Sequence, residues 1–220
     1  MFVLEILSIS EVFSPADCRD LLLLCSLALM SFSAPVKLHS SQTSDFKSNV
    51  QDSRSLASKM LENIPAVHKS CVRQEFTSDP FRLEYIRGIL AIPPAPKLAP
   101  ISETNTLEMN LGRISEGLQL FLQLQQLLQE QKEKADCARE LNVIRTEISE
   151  LNAHVKKLQA LAGFPNSKSH LGSVSVFAAA VSKDDYTLNV GFHLLLEQLR
   201  AFTQDTVRTL REIQHSNFHF

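Results

Sequence analysis

The chain has 220 residues, and its 22 lysines and arginines nearly balance its 24 aspartates and glutamates. Hydrophobic residues make up 44% of the sequence, which excludes a wholly disordered chain, and four cysteines are too few for a disulfide-dense miniprotein. Because there is no basic excess to neutralise a phosphate backbone, the composition also argues against a nucleic-acid-binding protein.

The first 33 residues have features of a secretory signal peptide. An apolar run at residues 21–30 is followed by small residues at Ser31 and Ser33, which predicts cleavage after Ser33 and a secreted, extracellular chain. The run is too short to span a bilayer, which needs about 20 residues. The segment before the run is long and acidic, whereas that of a signal peptide is short and basic. Either the start codon is misassigned, or residues 1–17 are an unusual extension, or the run is a buried helix of a cytosolic protein.

Four segments carry apolar residues at spacings of three and four, which predicts four amphipathic helices and an all-α fold. The predicted helices cover residues 46–75, 104–132, 134–162 and 186–214. The polar, serine-rich residues 34–45 are predicted to be a flexible N-terminus of the mature chain. Asp45 is the predicted N-cap of the first helix, and Pro65 within that helix predicts a kink or a break. The spacing is most regular in the third helix, at Cys137, Leu141, Ile144, Ile148, Leu151, Val155, Leu158 and Ala162.

The lengths of the three connections predict the topology. Residues 78–103 contain five of the nine prolines and are predicted to be extended, with one short helical turn at residues 81–89. A second long connection, residues 163–185, precedes the last helix, whereas the second and third helices are joined by a short turn. Because each long connection can run back along a helix, we predict an up-up-down-down long-chain four-helix bundle with two long crossover loops.

Four short segments form a pattern that is specific in its order and spacing. Residues 88–96 read Gly-Ile-Leu-Ala-Ile-Pro-Pro-Ala-Pro, residues 117–121 read Gly-Leu-Gln-Leu-Phe, and residues 161–165 read Leu-Ala-Gly-Phe-Pro. The fourth segment contains Ala201, Phe202, Arg208, Leu210 and Arg211. Together these segments resemble the granulocyte colony-stimulating factor family, within the interleukin-6-like long-chain cytokines, over residues 46–214.

This resemblance implies a secreted cytokine or growth factor that acts by binding alone. It would bind and dimerise a class I cytokine receptor in a two-to-two complex, and so drive proliferation and differentiation of granulocyte-lineage cells in the immune response. It would have no enzymatic activity and no cofactor, and the mature chain would neither insert into a membrane nor bind nucleic acid. The usual catalytic and nucleotide-binding motifs do not occur in the sequence, which agrees with a non-enzyme.

The chain departs from the family pattern at its cysteines. The family places two cysteines ten residues apart, at positions that are Pro100 and Asn110 here, and the second cysteine of its other loop bridge at Ser78. Neither of the family's two disulfides can therefore form. The leucine that the family has four residues after its aromatic residue is Gln125 here.

The resemblance also supplies candidate receptor-binding residues. Glu147 and Glu150 lie three residues apart, on one face of the third helix beside its apolar stripe, at acidic positions of the family's main receptor-binding face. The matching residues of the first helix are Asp52, Ser55 and Lys59, with Ser55 at the position of the family's key acid. We predict an exposed acidic face that pairs with arginine-rich receptor loops; the alternative is a solvated helix face.

A second candidate surface lies at the start of the first long connection. The family's acidic residue falls at Arg82 here, with Glu84 and Tyr85 close by in the sequence. By resemblance these residues contact an immunoglobulin-like domain of another receptor copy. The alternative is an ordinary loop that packs its aromatic residue against the bundle.

The two cysteines beyond the predicted signal peptide fall at helix ends. Cys71 ends the first helix and Cys137 begins the third, and in an up-up-down-down bundle both ends lie at the same pole. A disulfide between them is one expectation, and two buried thiols are the alternative. No metal site is expected, because His215 and His219 have no apparent third ligand.

Three other functions are open from the sequence. Another interleukin-6-type cytokine with a different receptor would share the fold, and an intracellular helical scaffold protein would lack secretion. A lipid-carrying helical protein would have wide apolar faces edged by basic residues, whereas the apolar stripes here are narrow.

Secretion separates the cytokine from the intracellular scaffold. When the chain is expressed from residue 1 in a secretory cell, we expect protein in the medium that begins at Ala34, because signal peptides are removed after such small residues. N-terminal sequencing of the secreted protein measures this. An uncleaved chain that stays inside the cell would contradict the prediction.

Overall fold

Six α-helices account for most of the computed structural model, which describes residues 38–131, 137–165 and 174–216. They are α1 (Leu38–Cys71), α2 (Pro80–Leu90), α3 (Leu107–Gln131), α4 (Ala138–Leu161), α5 (Ser175–Val181) and α6 (Asp185–His215), with a 3-10 helix at Gln74–Phe76. No strand occurs within these ranges, which confirms the all-α prediction. None of the helices in the described part of the chain is long and apolar enough to cross a bilayer. The predicted signal peptide and its cleavage site lie outside the described residues.

Apolar side chains of all six helices meet in one buried core. The stripe predicted for the third helix is buried from Leu141 to Leu158 in α4, and Ala162 just beyond the helix is partly buried. Because burying one leucine or isoleucine contributes about 1.5–3 kcal/mol, these stripes stabilise the helices far more than helix propensity does.

The helix α1 begins at Leu38, which corrects two sequence predictions. Residues 38–45 are helical rather than flexible, and Asp45 lies inside the helix instead of capping it. The early start has a tertiary cause. The side-chain amide of Gln42 donates a hydrogen bond of 2.8 Å to the carbonyl oxygen of Leu161, which attaches this part of α1 to the end of α4, and Phe46 is buried one turn later.

Pro65 lies inside α1 without dividing it. The helix continues past the proline to Cys71, and the proline ring is exposed. The predicted alternative of a break into two pieces is therefore wrong. The predicted end of the helix at residue 75 is also wrong, because a separate 3-10 helix follows Cys71.

The helix α2 forms where the sequence predicted one short helical turn. The side chain of Asp79 accepts hydrogen bonds from the backbone N–H groups of Phe81 and Arg82, at 3.0 and 3.2 Å, and Pro80 occupies the first turn. Both features favour helix initiation. Ala91 follows the last residue of the helix as its C-cap, with a φ of 44° in the left-handed region, and prolines follow.

Asparagine side chains hold the end of the first long connection against α3. The amide of Asn110 donates to the carbonyl oxygen of Ala99 at 2.9 Å, and the amide of Asn105 donates to the carbonyl oxygens of Ala99 and Pro100 at 2.6 and 3.0 Å. Arg113 in turn donates to the Asn105 side chain. We call this group the asparagine clasp. The clasp includes positions 100 and 110, where the family that the sequence resembles has two cysteines.

The second long connection contains α5, which the sequence did not predict. This helix of seven residues buries Phe177, Ala180 and Val181 in the core. It is too short to show a helical period, so periodicity alone could not identify it.

Both ends of α1 are attached to α4. Cys71 forms a disulfide with Cys137, which immediately precedes α4, and their Cα atoms are 5.3 Å apart. At the opposite end, α1 bonds the last residue of α4 through Gln42 and Leu161. The start of α1 therefore lies beside the end of α4, and the end of α1 lies beside the start of α4.

Hydrogen bonds between side chains also join α1 to α6 and α3 to α4. Arg54 of α1 donates to Gln214 near the end of α6 at 2.7 Å. Ser115 of α3 donates to Asn152 of α4 at 3.0 Å, and both residues are buried. Near the other end of the same two helices, Gln129 donates to Asn142 at 3.1 Å.

The helices α3 and α6 come close together at Gly117. A Cβ atom at this position would overlap the ring of Phe202, whose centroid lies 5.5 Å from that of Phe121. The absence of a side chain at Gly117 thus gives Phe202 its place in the core. The Gly-Leu segment that resembles the cytokine family has a packing role in this chain.

We expect the Cys71–Cys137 disulfide to be a major source of stability. The double variant Cys71→Ala with Cys137→Ala should lose about 2–4 kcal/mol of unfolding free energy, because the bridge closes a long loop in the unfolded chain. Urea denaturation measures the loss. Wild-type protein unfolded with a reductant is the control and should lose a similar amount. A double variant as stable as the oxidised wild type would refute the expectation.

Candidate functional site

Five of the candidate residues lie on two neighbouring helices, with Asp52, Ser55 and Lys59 on α1 and Glu147 and Glu150 on α4. We call these five residues the α1–α4 surface. All are exposed except Glu147, which is 3% exposed. The expectation that both glutamates lie on an exposed face is therefore wrong for Glu147, because α1 lies across it.

Glu147 is a buried carboxylate with one oxygen bonded and one without a partner. Its Oε1 accepts a hydrogen bond of 2.6 Å from the side-chain amide of Asn63 and lies 3.3 Å from Nζ of Lys59. Its Oε2 is buried and has no hydrogen-bond partner. A buried carboxylate that is incompletely hydrogen-bonded carries a cost in folding free energy.

The surface has a shallow, open depression beside Glu147. It lies between α1 and α4 and is lined by Lys59, Arg139, Asn142, Val143, Thr146, Glu147 and Glu150. Val143 is a large apolar side chain that is 44% exposed here. The depression therefore combines an apolar contact with two carboxylates and two cations, Lys59 and Arg139, so that a cationic side chain with an apolar stem would pair chiefly with the exposed Glu150.

The α1 residues of the surface are not all gathered at this depression. Lys59 also lines a second open depression, which includes Ser55 and Glu62 and runs along the exposed face of α1. Asp52 lies further towards the start of α1 and lines neither depression. The structure thus brings Lys59, Glu147 and Glu150 together, with Ser55 adjacent and Asp52 apart.

Asn63 is the residue that sequence reasoning missed. It lies one helical turn after Lys59, so the same face of α1 presents both residues to Glu147. A polar residue beside the apolar stripe of α1 was the available signal. Because the sequence does not show which residue of α4 Asn63 contacts, it could not be distinguished from an exposed polar residue.

A second group of exposed residues lies on α2. Tyr85 is 70% exposed and Phe81, four residues earlier on the same face, is 88% exposed. The alternative in which the aromatic residue packs against the bundle is therefore wrong for Tyr85. Glu84 is also exposed and pairs with Arg87 at 3.4 Å. We call Phe81, Arg82, Glu84 and Tyr85 the α2 surface; Phe81 was not identified from the sequence.

Arg82 interacts with the start of α6. Its guanidinium carbon lies 3.9 Å from the centroid of the Tyr186 ring, a cation–π contact. The pKa of the nearby Asp184 is lowered, chiefly because its carboxylate accepts the backbone hydrogen bond of Thr187 as the N-cap of α6, and to a smaller degree by the charge of Arg82. Arg82 thus connects α2 to α6 as well as contributing a positive charge to the α2 surface.

No group of three or more histidine, cysteine, aspartate or glutamate side chains within the described ranges could hold a metal ion. No protein-family model matches the chain, and no curated protein is significantly similar to it. The likeness to the cytokine family thus rests on the four sequence segments and stays a prediction.

The two partners of Glu147 should differ in their effect on stability. Asn63→Ala should lower the unfolding free energy by about 1–3 kcal/mol, because it removes the hydrogen bond to a buried carboxylate. Lys59→Ala should lower it by less than about 1 kcal/mol, because the Lys59 side chain is 62% exposed and its ion pair is screened by water. Urea denaturation of both variants tests this, and equal losses would show that Asn63 does not support the carboxylate.

Proposed function

We propose that the chain is a secreted four-helix cytokine that binds and dimerises a class I cytokine receptor. Its receptor is similar to that of granulocyte colony-stimulating factor, and its action is to drive proliferation and differentiation of granulocyte-lineage cells. The mechanism is binding without chemistry. Two separate surfaces contact two receptor chains, so that the complex contains two copies of each protein.

An up-up-down-down topology is part of this proposal. The start of α1 bonds the end of α4, and the end of α1 is joined to the start of α4, so these helices run in opposite directions. The contact of α1 with the end of α6 supports an antiparallel arrangement of these two helices. The two contacts between α3 and α4 support the same arrangement for that pair. Two parallel helices followed by two antiparallel to them is the arrangement of cytokine bundles.

The buried carboxylate of Glu147 is the observation that carries the proposal. An arginine of the receptor would enter the depression and place its stem against Val143. Oε2 of Glu147 is closed to solvent in the free chain, so the side chains that cover it would have to move aside for the guanidinium to donate to it. Glu150, exposed at the rim of the same depression, would add a second charge to attract and orient that guanidinium. Such a charge-assisted contact specifies a partner because a receptor without the cation leaves the carboxylate unsatisfied.

The α2 surface is the proposed second contact. Phe81 and Tyr85 present two aromatic rings to solvent on one face, and aromatic residues supply much of the binding energy at protein interfaces. In this arrangement, one receptor chain would bind the α1–α4 surface and the immunoglobulin-like domain of the other would cover these rings. The two surfaces share no residue, and we expect both to be occupied in the complex.

A different receptor of the same class is the second candidate. Ser55 is exposed and neutral at the position where the family has its key first-helix acid, and the nearest acid on the same helix, Asp52, lies away from the depression. A receptor that has no basic residue opposite Ser55 would fit this neutral side chain. A binding panel across class I receptors separates the two candidates.

The first experiment is binding of purified residues 34–220 to the granulocyte colony-stimulating factor receptor ectodomain from the same organism. We expect submicromolar affinity and a two-to-two complex. The variant Glu150→Lys should weaken binding more than tenfold without changing the helical content, because it places a positive charge where the receptor cation would bind. Calorimetry measures the affinity and circular dichroism the helix content.

The matched control is Glu108→Lys, which reverses the charge of another exposed glutamate, on α3 and outside both surfaces. This variant should bind as the wild type does. Unchanged affinity of folded Glu150→Lys would refute the site, and no binding by the folded wild type would remove this receptor from consideration.

A further inference from the structure

A pair of histidines joins α1 to α6. Nε2 of His68 on α1 lies 2.8 Å from Nδ1 of His193 on α6, and the two rings meet edge to face with an angle of 70° between their planes. The other ring nitrogen of His193, Nε2, lies 3.6 Å from Oε1 of Glu197, one turn further along α6. His193 has only 14% of its side chain exposed, and none of the three residues belongs to the α1–α4 or α2 surface.

The hydrogen bond between the rings restricts how many protons the pair can hold. A neutral imidazole has one donor and one acceptor nitrogen, whereas a protonated ring has two donors. Because Glu197 favours a proton on Nε2 of His193, we assign Nδ1 of His193 as the acceptor and Nε2 of His68 as the donor. If both rings are protonated, two N–H groups face each other and two positive charges repel.

We propose that His68 and His193 form a pH-sensitive latch between α1 and α6, which is closed while at most one ring is protonated and opens when both are. A first proton on either ring leaves the other ring neutral, and the facing nitrogen of the neutral ring can accept the hydrogen bond, so the latch tolerates one charge. The second proton removes the acceptor of the hydrogen bond and adds the repulsion. Acidification therefore weakens the packing of α6 on α1 at this position.

The direction of the pH effect follows from the environment of His68. Burial lowers the pKa of His68 from its ordinary value of 6.5, the neighbouring His193 lowers it further, and Glu197 raises it by a smaller amount. The unfolded chain then binds a proton at His68 at higher pH than the folded chain does. The stability supplied by the neutral ring is thus complete above pH 6.5 and is lost as the pH falls below that value.

Charged groups on the other elements that pack against α6 do not offset this effect. In the described part of the chain, no ion pair joins a residue of α2, α3 or the 3-10 helix to either histidine. Lys69 is adjacent to His68 in sequence but exposed, and Glu197 is itself 53% exposed and so only partly compensates a second charge. The charged residues on the three elements are Glu75, Arg82, Glu84, Arg87, Glu108, Arg113, Glu116 and Glu130.

The disulfide decides which element can move when the latch opens. Cys71, three residues after His68, holds the end of α1 to the start of α4. The end of α1 therefore keeps its position, and the first turns of α6 are the part that moves. A neighbouring bond reports on this movement. The backbone N–H of Arg73 donates to the side chain of Asn189, one turn before His193, at 2.8 Å.

Urea denaturation of the full chain at pH 8 to pH 5 tests the latch. Between pH 7.5 and pH 5, we expect the folding equilibrium constant of the wild type to fall further than that of His68→Gln, because the lowered pKa of His68 makes the unfolded chain take up the additional proton first. The glutamine keeps a donor near the position of Nε2 but does not titrate. His215→Gln, which removes an exposed histidine of α6, is the matched control and should follow the wild type.

Amide hydrogen exchange gives a local measurement. In the wild type, the protection factors of the Arg73 amide and of the first turns of α6 should fall at pH 5, and in His68→Gln they should not. If that variant folds poorly, His193→Asn serves instead, because its side-chain oxygen can accept the hydrogen bond. Parallel stability curves of variant and wild type, or unchanged protection at pH 5, would overturn the proposal.

Discussion

The covalent bond between Cys71 and Cys137 fixes the position of α1 along α4, and the contacts described here depend on that register. With this end held, the preceding turns of α1 place Asn63 and Lys59 over Glu147. A slip of α1 by a single turn, about 5.4 Å, would move both side chains away and leave the carboxylate beside a different part of the helix. The hydrogen bond at the start of α1 holds the same register from the opposite end.

Local sequence information was sufficient for the four long helices and for most of the core. The stripe from Leu141 to Leu158 has an unbroken helical period, and all of its positions are buried. The start of α1 could not be predicted in this way, because residues 38–45 have no apolar stripe and are helical through contact with α4. Its cause lies in a residue 119 positions away along the chain.

The candidate site was predictable in its location but not in its chemistry. Glu147 and Glu150 share a helix face, yet one is buried and the other exposed, because Asn63 of α1 covers only the first. These contacts join residues 84 positions apart, and no pattern within α4 encodes them. The same holds for the asparagine clasp: nothing in the local sequence predicts that the amide of Asn110 attaches the end of the first long connection to α3.

The disulfide has a consequence for a chain that has been cut by a protease. Cys71 and Cys137 enclose the whole of α2, the proline-rich connection and α3, a separation of 66 residues. A single cleavage anywhere in this enclosed stretch leaves two fragments that are still covalently joined. The nicked molecule would keep its mass apart from one added water and migrate as a single species until it is reduced. Cleavage in the proline-rich connection would therefore remain undetected under oxidising conditions, with α1 and α4 still attached to each other.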